Sequence, residues 1–186
     1  MIYEAIIDKY YPEVEDGAQQ PSALRRLLLK HSRQVADHCL RIADRHPELQ
    51  LDKTFIEAAA MLHDIGIRWC YAPSILCNGT EPYIRHGLIG AELLRSIGCD
   101  EAFARVCERH TGTGLTRQQI ERQQLPLPLQ DFVPVTLAEQ VVCYADKFYS
   151  KSHPNRILTA KQAEQSLAKF GQEGVALFRS WDERFG

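Results

Sequence analysis

Apolar residues recur about every 3.6 positions along almost all of this 186-residue chain, and no segment alternates convincingly with a period of two. Such periodicity is typical of amphipathic helices that pack on one another. The sequence therefore predicts an all-α fold, a single-domain bundle of about seven to eight helices. No repeat or low-complexity linker interrupts the pattern. We expect one domain over residues 1–186, with its core at 22–152 and a C-terminal helix at 159–183.

Capping signals locate most of the predicted helix starts. Ser22, Asp52 and Asp100 each precede an apolar-periodic run, as N-cap residues do, and Gly66 follows the third run, where a C-terminal glycine is expected. Two irregular regions, 68–85 and 111–136, are predicted as loops, and the second contains a polar helical turn. The predicted helices span residues 2–11, 22–46, 52–65, 86–98, 100–110, 137–151 and 159–183.

Charge and composition limit the partners of the chain. The net charge of -2 gives no support for nucleic-acid binding, and no apolar run is long enough to span a membrane. The acidic N-terminus does not resemble a signal peptide, so we expect a cytoplasmic protein. Four of the six cysteines fall inside helical patterns, which favours free thiols. Cys70 and Cys77 share one predicted loop, and a disulfide between them stays open.

Histidine and aspartate residues stand on the apolar faces of five predicted helices. The stretch MLHDIG places His63 and Asp64 side by side at the end of an apolar run. An ionised carboxylate that is buried without a partner costs several kcal/mol, and a bound metal removes that cost because carboxylate oxygens and imidazole nitrogens become its ligands. The candidate metal ligands are His31, His63, Asp64, His86, His110 and Asp146.

Each of these residues alone has a simpler interpretation. A single histidine on an apolar stripe is more often a hydrogen-bonded core residue than a ligand, and Asp146 alone could pair with Lys147. Taken together, six such residues favour a shared metal site. His38 lies about 10 Å along the helix axis from His31. We therefore predict a core or rim role for His38, and solvent-facing positions for His46 and His153.

The order of these donors resembles the HD-domain superfamily of metal-dependent phosphohydrolases. The string at residues 63–66 is similar to the HDIG form of its signature, and the segment VCYADKFYSK also resembles small HDIG-type phosphohydrolases. The resemblance covers most of residues 22–152 and implies the HD-domain helical fold. His86 and His110 resemble the additional pair of the two-metal branch. No GYP triplet follows the site, which argues against cyclic-di-GMP as substrate.

The resemblance implies hydrolysis of a phosphate ester or anhydride in a nucleotide or another small metabolite. Asp64 would bridge two metal ions that share a bound hydroxide. Fe or Mn suits this ligand set best, with Co, Zn, Ni or Mg as alternatives. The other ligands are implied in two sets: His31, His63 and Asp146 for one ion, and His86 and His110 for the other.

Positive side chains near the predicted site are candidates for binding the phosphate. We predict catalytic roles for Asp64 and Lys147, and substrate contacts for Lys147, Arg68, Arg85 and Thr111. The predicted partner is a small phosphorylated molecule, with no nucleic acid and no membrane, and a homodimer stays open. The same six ligands also suit a di-iron oxygenase that acts on a small polyol or a hydroxy-phosphonate-like substrate. A non-enzymatic protein, with a structural metal or a nucleotide-sensing role, is a third alternative.

Overall fold

A computed structural model describes residues 2–14 and 22–186 of the chain. Within those residues it contains nine α-helices, three short β-strands and several 3₁₀ turns. The prediction of an all-α fold is confirmed, although the helix count exceeds the expected seven to eight. The helices are α1 (Ile2–Tyr10), α2 (Ala23–Arg45), α3 (Lys53–Leu62), α4 (His86–Ser96), α5 (Glu101–Arg109), α6 (Arg117–Gln123), α7 (Leu137–Asp146), α8 (Ala160–Leu167) and α9 (Gln172–Phe185).

The helices share a hydrophobic core to which α2, α3, α5 and α7 all contribute. Helix α2 packs along α3 and α7, and α5 packs against α3, α4 and α7. Helix α9 covers α7 and α8 from outside. In the residues described, no helix has the length and hydrophobicity that crossing a bilayer requires. Fully buried members of the core include Leu28, Val35, Ile56, Leu62, Leu94 and Val142.

The predicted N-caps are present. The Ser22 hydroxyl accepts a hydrogen bond from the Arg25 amide, and the Asp52 carboxylate accepts one from the Phe55 amide. The Asp100 carboxylate caps α5 in the same way. Side chains of this type satisfy backbone amides that the first helical turn leaves free. The starts of these three helices therefore follow directly from local sequence.

Gly66 does not end a helix, which corrects the sequence prediction. Helix α3 ends at Leu62, and Gly66 lies in a 3₁₀ turn that runs from Ile65 to Trp69. Its backbone is not left-handed. A Cβ atom at Gly66 would instead collide with the His86 carbonyl and lie 2.5 Å from the Gly90 amide. Glycine is required here because the turn after α3 touches the backbone of α4.

The predicted loop at 68–85 contains a small sheet, which is a second correction. Strand β1 (Cys70–Ala72) lies between β2 (Cys77–Asn78), with which it is antiparallel, and β3 (Glu81–Pro82), with which it is parallel. Strands of two or three residues are too short to show an alternating pattern in the sequence. The thiols of Cys70 and Cys77 are free.

Two predicted helices are shorter than expected. Helix α7 ends at Asp146 rather than at residue 151, and the predicted helix at 159–183 is divided into α8 and α9. The division occurs at Gly171, whose φ of 132° no regular helix contains. The end of α7 and the break at Gly171 both lie next to the candidate site, so both determine which residues surround that site.

Candidate metal centre

The fold brings all six predicted donors into one buried cluster. His31 comes from the middle of α2, whereas the other five lie at or just beyond helix ends. The cluster contains three overlapping triads, and within each triad the donor atoms all lie within 4.8 Å of one another. Helix ends can approach closely from different directions, which explains how five elements reach one point. The triads are His31–His63–Asp64, His63–His110–Asp146 and Asp64–His86–His110.

Asp64 lies between two separate pairs of imidazoles. Its Oδ2 atom is 3.2 Å from His31 Nε2 and 3.1 Å from His63 Nε2. Its Oδ1 atom is 3.5 Å from His86 Nε2 and 3.4 Å from His110 Nε2. Each carboxylate oxygen therefore faces a different histidine pair, which is the arrangement that a bridging ligand requires.

Asp146 adds a second carboxylate to only one of the two sets. Its Oδ1 atom lies 3.0 Å from His31 Nε2 and 3.6 Å from His63 Nε2. On the other side of Asp64, His86 Nε2 and His110 Nε2 are 3.0 Å apart. The cluster thus has one set with two histidines and two carboxylates, and one with two histidines and a shared carboxylate.

Backbone carbonyls fix the orientation of three of the four histidines. Each Nδ1 faces the carbonyl three residues earlier: His63 faces Ala60 at 2.6 Å, His86 faces Tyr83 at 2.7 Å and His110 faces Cys107 at 2.6 Å. An Nδ1–H that donates to a carbonyl leaves the Nε2 lone pair free. All three Nε2 atoms then point into the cluster as potential metal ligands.

The donor set fits a divalent metal. Four histidines and two aspartates supply nitrogen and carboxylate oxygen, which Fe, Mn, Co and Zn accept. In the part of the chain that the structure describes, several of these buried atoms have no hydrogen bond of acceptable geometry. Unpaired buried polar atoms of this kind are costly, and coordination would satisfy them. The atoms are His31 Nε2, His63 Nε2, Asp64 Oδ1 and Asp146 Oδ1.

Electrostatics keep most of the cluster in the protonation state that metal binding requires. Burial alone would raise the pKa of Asp64, but the Lys151 ammonium and the His63 imidazole hold it well below its usual range. Burial lowers the pKa of His86 to about 3, with a further contribution from His110, whose own pKa burial also lowers. Ionised carboxylates and neutral imidazoles are the forms that coordinate metals.

His63 differs from His86 and His110 in the direction of its pKa shift. Burial would lower its pKa, but the Asp64 and Asp146 carboxylates outweigh burial and raise that pKa to about 9. Without metal, His63 therefore carries the proton that balances part of the carboxylate charge.

Lys151 is a site residue that the sequence prediction missed. Its ammonium lies 2.6 Å from Asp64 Oδ2 and next to the Tyr83 hydroxyl, and its side chain is only 13% exposed. Burial would lower the pKa of Lys151, but Asp64 and Tyr83 raise it above its ordinary value. The sequence feature that could have indicated Lys151 is its position as the second lysine of the ADKFYSK segment, five residues after Asp146.

Of the four predicted substrate-binding residues, two lie beside the cluster, whereas the two arginines contact other groups. The Lys147 ammonium donates to Asp146 Oδ2 at 2.7 Å and to the His110 carbonyl at 2.9 Å, and Thr111 lines a cavity next to His86. Arg68 instead donates to the Tyr10 carbonyl at 2.7 Å, and Arg85 pairs with Glu81 at 3.2 Å. Neither arginine lines a cavity beside the cluster, so a substrate contact by either would require its side chain to move.

Two cavities open beside the cluster. The larger has a volume of about 860 Å³ and is lined by Asp146 together with several basic side chains. The smaller measures about 410 Å³ and includes His86 in its wall. Tyr83 and Gly112 line both cavities, which therefore meet at the cluster. The basic residues of the larger cavity are Lys147, Lys151, His153, Arg156 and Lys169.

Comparison with known proteins identifies the family. The HD-domain family model matches residues 28–150. A tRNA (cytidine(56)-2'-O)-methyltransferase of Picrophilus torridus is 35% identical over 136 residues, which are 73% of this chain and 34% of that protein. An uncharacterized protein of Methanocaldococcus jannaschii is 36% identical over 124 residues, which are 62% of this chain and 66% of that protein.

Solved structures share the fold. The HD domain of the L. monocytogenes phosphodiesterase PgpH, in complex with cyclic-di-AMP, has a TM-score of 0.53 and 13% sequence identity, and covers 97% of this chain and 92% of that one. A second structure of that HD domain has a TM-score of 0.52 and covers 83% of this chain.

The fold and the cluster of histidines and aspartates define a helical protein of the HD type, with a site for divalent metal. The family match spans most of the sequence, and the chain belongs to the HD-domain family. The resemblance on the HDIG string is thereby confirmed. The chain spans about a third of the length of the methyltransferase that it matches (34%).

Proposed function

We propose that this chain hydrolyses a phosphate ester or anhydride of a nucleotide or another small metabolite, with two metal ions held at the cluster. The observation that carries the proposal is the position of Asp64. Its two oxygens face two different histidine pairs at 3.1–3.5 Å. A single metal would need only one of those pairs.

The ligands divide into two sets around this carboxylate. His31, His63 and Asp146 would hold one ion with Asp64 Oδ2, and His86 and His110 would hold the other with Asp64 Oδ1. Bound together, two such ions supply an activated water at neutral pH and stabilise the charge on the phosphoryl oxygens.

The remaining side chains bind and orient the substrate. Lys147 and Lys151 line the larger cavity where it meets the cluster, and both ammonium groups are held in place by ligand carboxylates. Cations that are fixed before the substrate arrives stabilise the charge of the transition state at little reorganisation cost. Arg156 and Lys169 extend the positive surface outward, where further phosphate groups would bind.

The basic cavity favours hydrolysis over the di-iron oxygenase alternative. An uncharged polyol makes no use of the three lysines and one arginine that line this cavity, whereas a phosphate or polyphosphate does. A hydroxy-phosphonate would also be attracted, so the two enzyme classes need a chemical test. The complex of PgpH with cyclic-di-AMP makes a cyclic dinucleotide one reasonable member of the substrate panel.

Metal reconstitution followed by a substrate screen tests the proposal. The purified chain is loaded with Mn²⁺ or Fe²⁺ under anaerobic conditions and tested with nucleoside mono-, di- and triphosphates, a cyclic dinucleotide and ribose 5-phosphate. We expect phosphate release or phosphodiester cleavage without oxygen, and loss of that activity in Asp64→Ala. Turnover that requires oxygen and consumes it would instead indicate the oxygenase. Nucleotide binding without any turnover would contradict both enzyme classes.

A further inference from the structure

The smaller cavity differs chemically from the basic one that it adjoins. No aspartate, glutamate, lysine or arginine lines its wall, and the one histidine there, His86, is a neutral imidazole. It is enclosed between the turn that precedes α4, the segment after His110 and the start of α9. Its apolar lining residues are Ile84, Leu115, Leu125, Leu167 and Phe170.

Four glycines line part of this wall, Gly112 and Gly114 on one side and Gly171 and Gly174 on the other. A Cβ atom at Gly112 or Gly171 would meet no atom within 4 Å, so the backbone at these two positions borders open space. At Gly174 the two sides touch instead, because a Cβ atom there would lie 2.9 Å from the Thr113 hydroxyl. The room for a flat group therefore lies beside Gly112 and Gly171.

A few polar groups remain available in the cavity. The Gln119 amide is already engaged, since it caps α6 and also contacts Glu173 at 3.4 Å. Gln123 is exposed and lines the same wall, and its side-chain amide makes no hydrogen bond to residues 2–14 or 22–186. Thr111 adds a hydroxyl close to the metal cluster. An alkyl chain would leave these groups unpaired, whereas a ring that contains nitrogen and oxygen can bond to them.

An exposed aromatic side chain stands where the two cavities meet. Phe170 is 72% exposed, although it lies in the 3₁₀ turn between two helices and lines both cavities. Large aromatic side chains are costly to leave in water and stack readily on flat rings. Tyr83, which stacks on His86 with ring centroids 4.6 Å apart, is a second aromatic side chain that lines both cavities.

We infer that the smaller cavity binds an uncharged nucleobase, so that the substrate is a nucleoside phosphate with its phosphate at the metal cluster. The inference rests on the proposed phosphohydrolase function and adds the substrate class. The volume of about 410 Å³ lies within the range of about 300–1,000 Å³ that small-molecule pockets occupy. The base then occupies the apolar cavity, and the phosphate faces Lys147 and Lys151.

A matched pair of variants tests the base site. Leu125 lines the cavity, whereas Leu127 does not, and both pack in the same small cluster around Leu88, Ile120 and Phe132. Leu125→Trp should fill the cavity, and Leu127→Trp controls for the added bulk. The substrates are four nucleoside 5'-monophosphates and ribose 5-phosphate, which keeps the sugar phosphate but lacks the base.

We expect kcat/KM for the best nucleotide to exceed that for ribose 5-phosphate by about tenfold or more, since stacking of one base contributes about that much. Leu125→Trp should remove this preference, so that kcat/KM for the nucleotide falls to the value for ribose 5-phosphate in the same variant. Leu127→Trp should preserve the preference. Equal activity on nucleotides and ribose 5-phosphate in the wild type, or an equal loss on both in Leu125→Trp, would overturn the base site.

Calorimetry separates this inference from the proposed reaction. Adenosine, guanosine, cytidine and uridine are titrated into the metal-loaded wild type and into both variants. At least one nucleoside should bind to the wild type and to Leu127→Trp, and its Kd should rise about tenfold or more in Leu125→Trp. Binding of none of the four would reject the base site even if phosphate is released. Base binding with no phosphate release from any compound would reject the hydrolase and keep the site.

Discussion

Asp64 is buried completely and faces four imidazoles, so the chemistry of the cluster depends on it more than on any other residue. One pair of histidines faces Oδ2 of Asp64, and another pair faces Oδ1. Removal of different donors should therefore have different effects on metal content. A donor that belongs to one set should affect one ion, whereas the shared carboxylate should affect both.

His86→Ala should reduce the metal content from two ions per chain to one, because the set around His31, His63 and Asp146 keeps its donors. Asp64→Ala should abolish bound metal and activity together. Metal analysis by mass spectrometry after desalting measures both. His38→Ala is the control, because the His38 ring packs on the Phe148 ring, with centroids 4.8 Å apart, and not on the cluster. The metal content of this variant should stay largely intact. Substantial metal loss in that variant would mean that the ligand set is drawn wrongly.

Lys151→Met should change metal affinity and activity in opposite directions. The ammonium lies 2.6 Å from Asp64 Oδ2, where its charge opposes a cation bound to the same oxygen. Its removal should tighten metal binding by about tenfold or more, since a charge at this distance is worth about 1–4 kcal/mol. The rate of phosphate release should fall by about a hundredfold.

Competition with a coloured chelator measures the metal affinity of Lys151→Met. Lys169→Met, at the exposed outer edge of the same cavity, should leave that affinity unchanged. Weaker metal binding in Lys151→Met would show that the lysine supports the site instead of competing with the metal.

Sequence reasoning selected the six candidate donors because each breaks an apolar helical stripe, and the structure brings all six together. Lys151 breaks no apolar stripe, because helix α7 ends at Asp146. The turn that follows α7 brings Lys151 back to the cluster, and helical spacing does not predict that turn. Arg68 and Arg85 were predicted as substrate contacts from their closeness in sequence to the ligands, and in this structure their side chains bind the Tyr10 carbonyl and Glu81.

At the scale of elements, the cluster depends on how closely the turn after α3 approaches α4. That approach places His63 and Asp64 opposite His86, the first residue of α4. Helix caps such as Ser22, Asp52 and Asp100 were predictable because they act within one turn. The approach at Gly66 was not, because it depends on a contact between elements distant in sequence.

Gly66→Ala should destabilise the fold strongly. The new methyl group would meet the His86 carbonyl and the Gly90 amide, both of which are backbone atoms that cannot rotate away. We expect a loss of about 3 kcal/mol in the free energy of unfolding, measured by urea denaturation. Gly98→Ala is the matched control: its φ is 73° but no atom lies within 4 Å of the added Cβ, so only about 1 kcal/mol should be lost. Equal losses in the two variants would contradict the close approach.

At the scale of the whole molecule, the division of the C-terminal segment at Gly171 brings Phe170 to the rim of both cavities. The same segment packs α9 on α7, which carries Asp146. Stability of the whole chain should also depend on pH through His38, which lies among the rings of Tyr144, Phe148 and Tyr149.

Burial lowers the pKa of His38 to about 4, with further contributions from Arg41 and Arg45. The unfolded chain, with a histidine pKa of about 6.5, binds this proton first as the pH falls. Stability should therefore decrease between pH 6.5 and 4, by up to about 3 kcal/mol from this residue. Urea unfolding of chelator-treated protein at pH 7 and pH 4.5 should show a smaller decrease for His38→Gln. His153→Gln, at an exposed position, should match the wild type, and an unchanged decrease in His38→Gln would contradict the assignment.

Anomalous X-ray diffraction from crystals of the manganese-loaded protein tests the central claim most directly. Two anomalous peaks about 3.5–4 Å apart should appear, one on each side of the Asp64 carboxylate. The first should lie beside His31, His63 and Asp146, and the second beside His86 and His110. A single peak, or two peaks that Asp64 does not bridge, would contradict the dinuclear site.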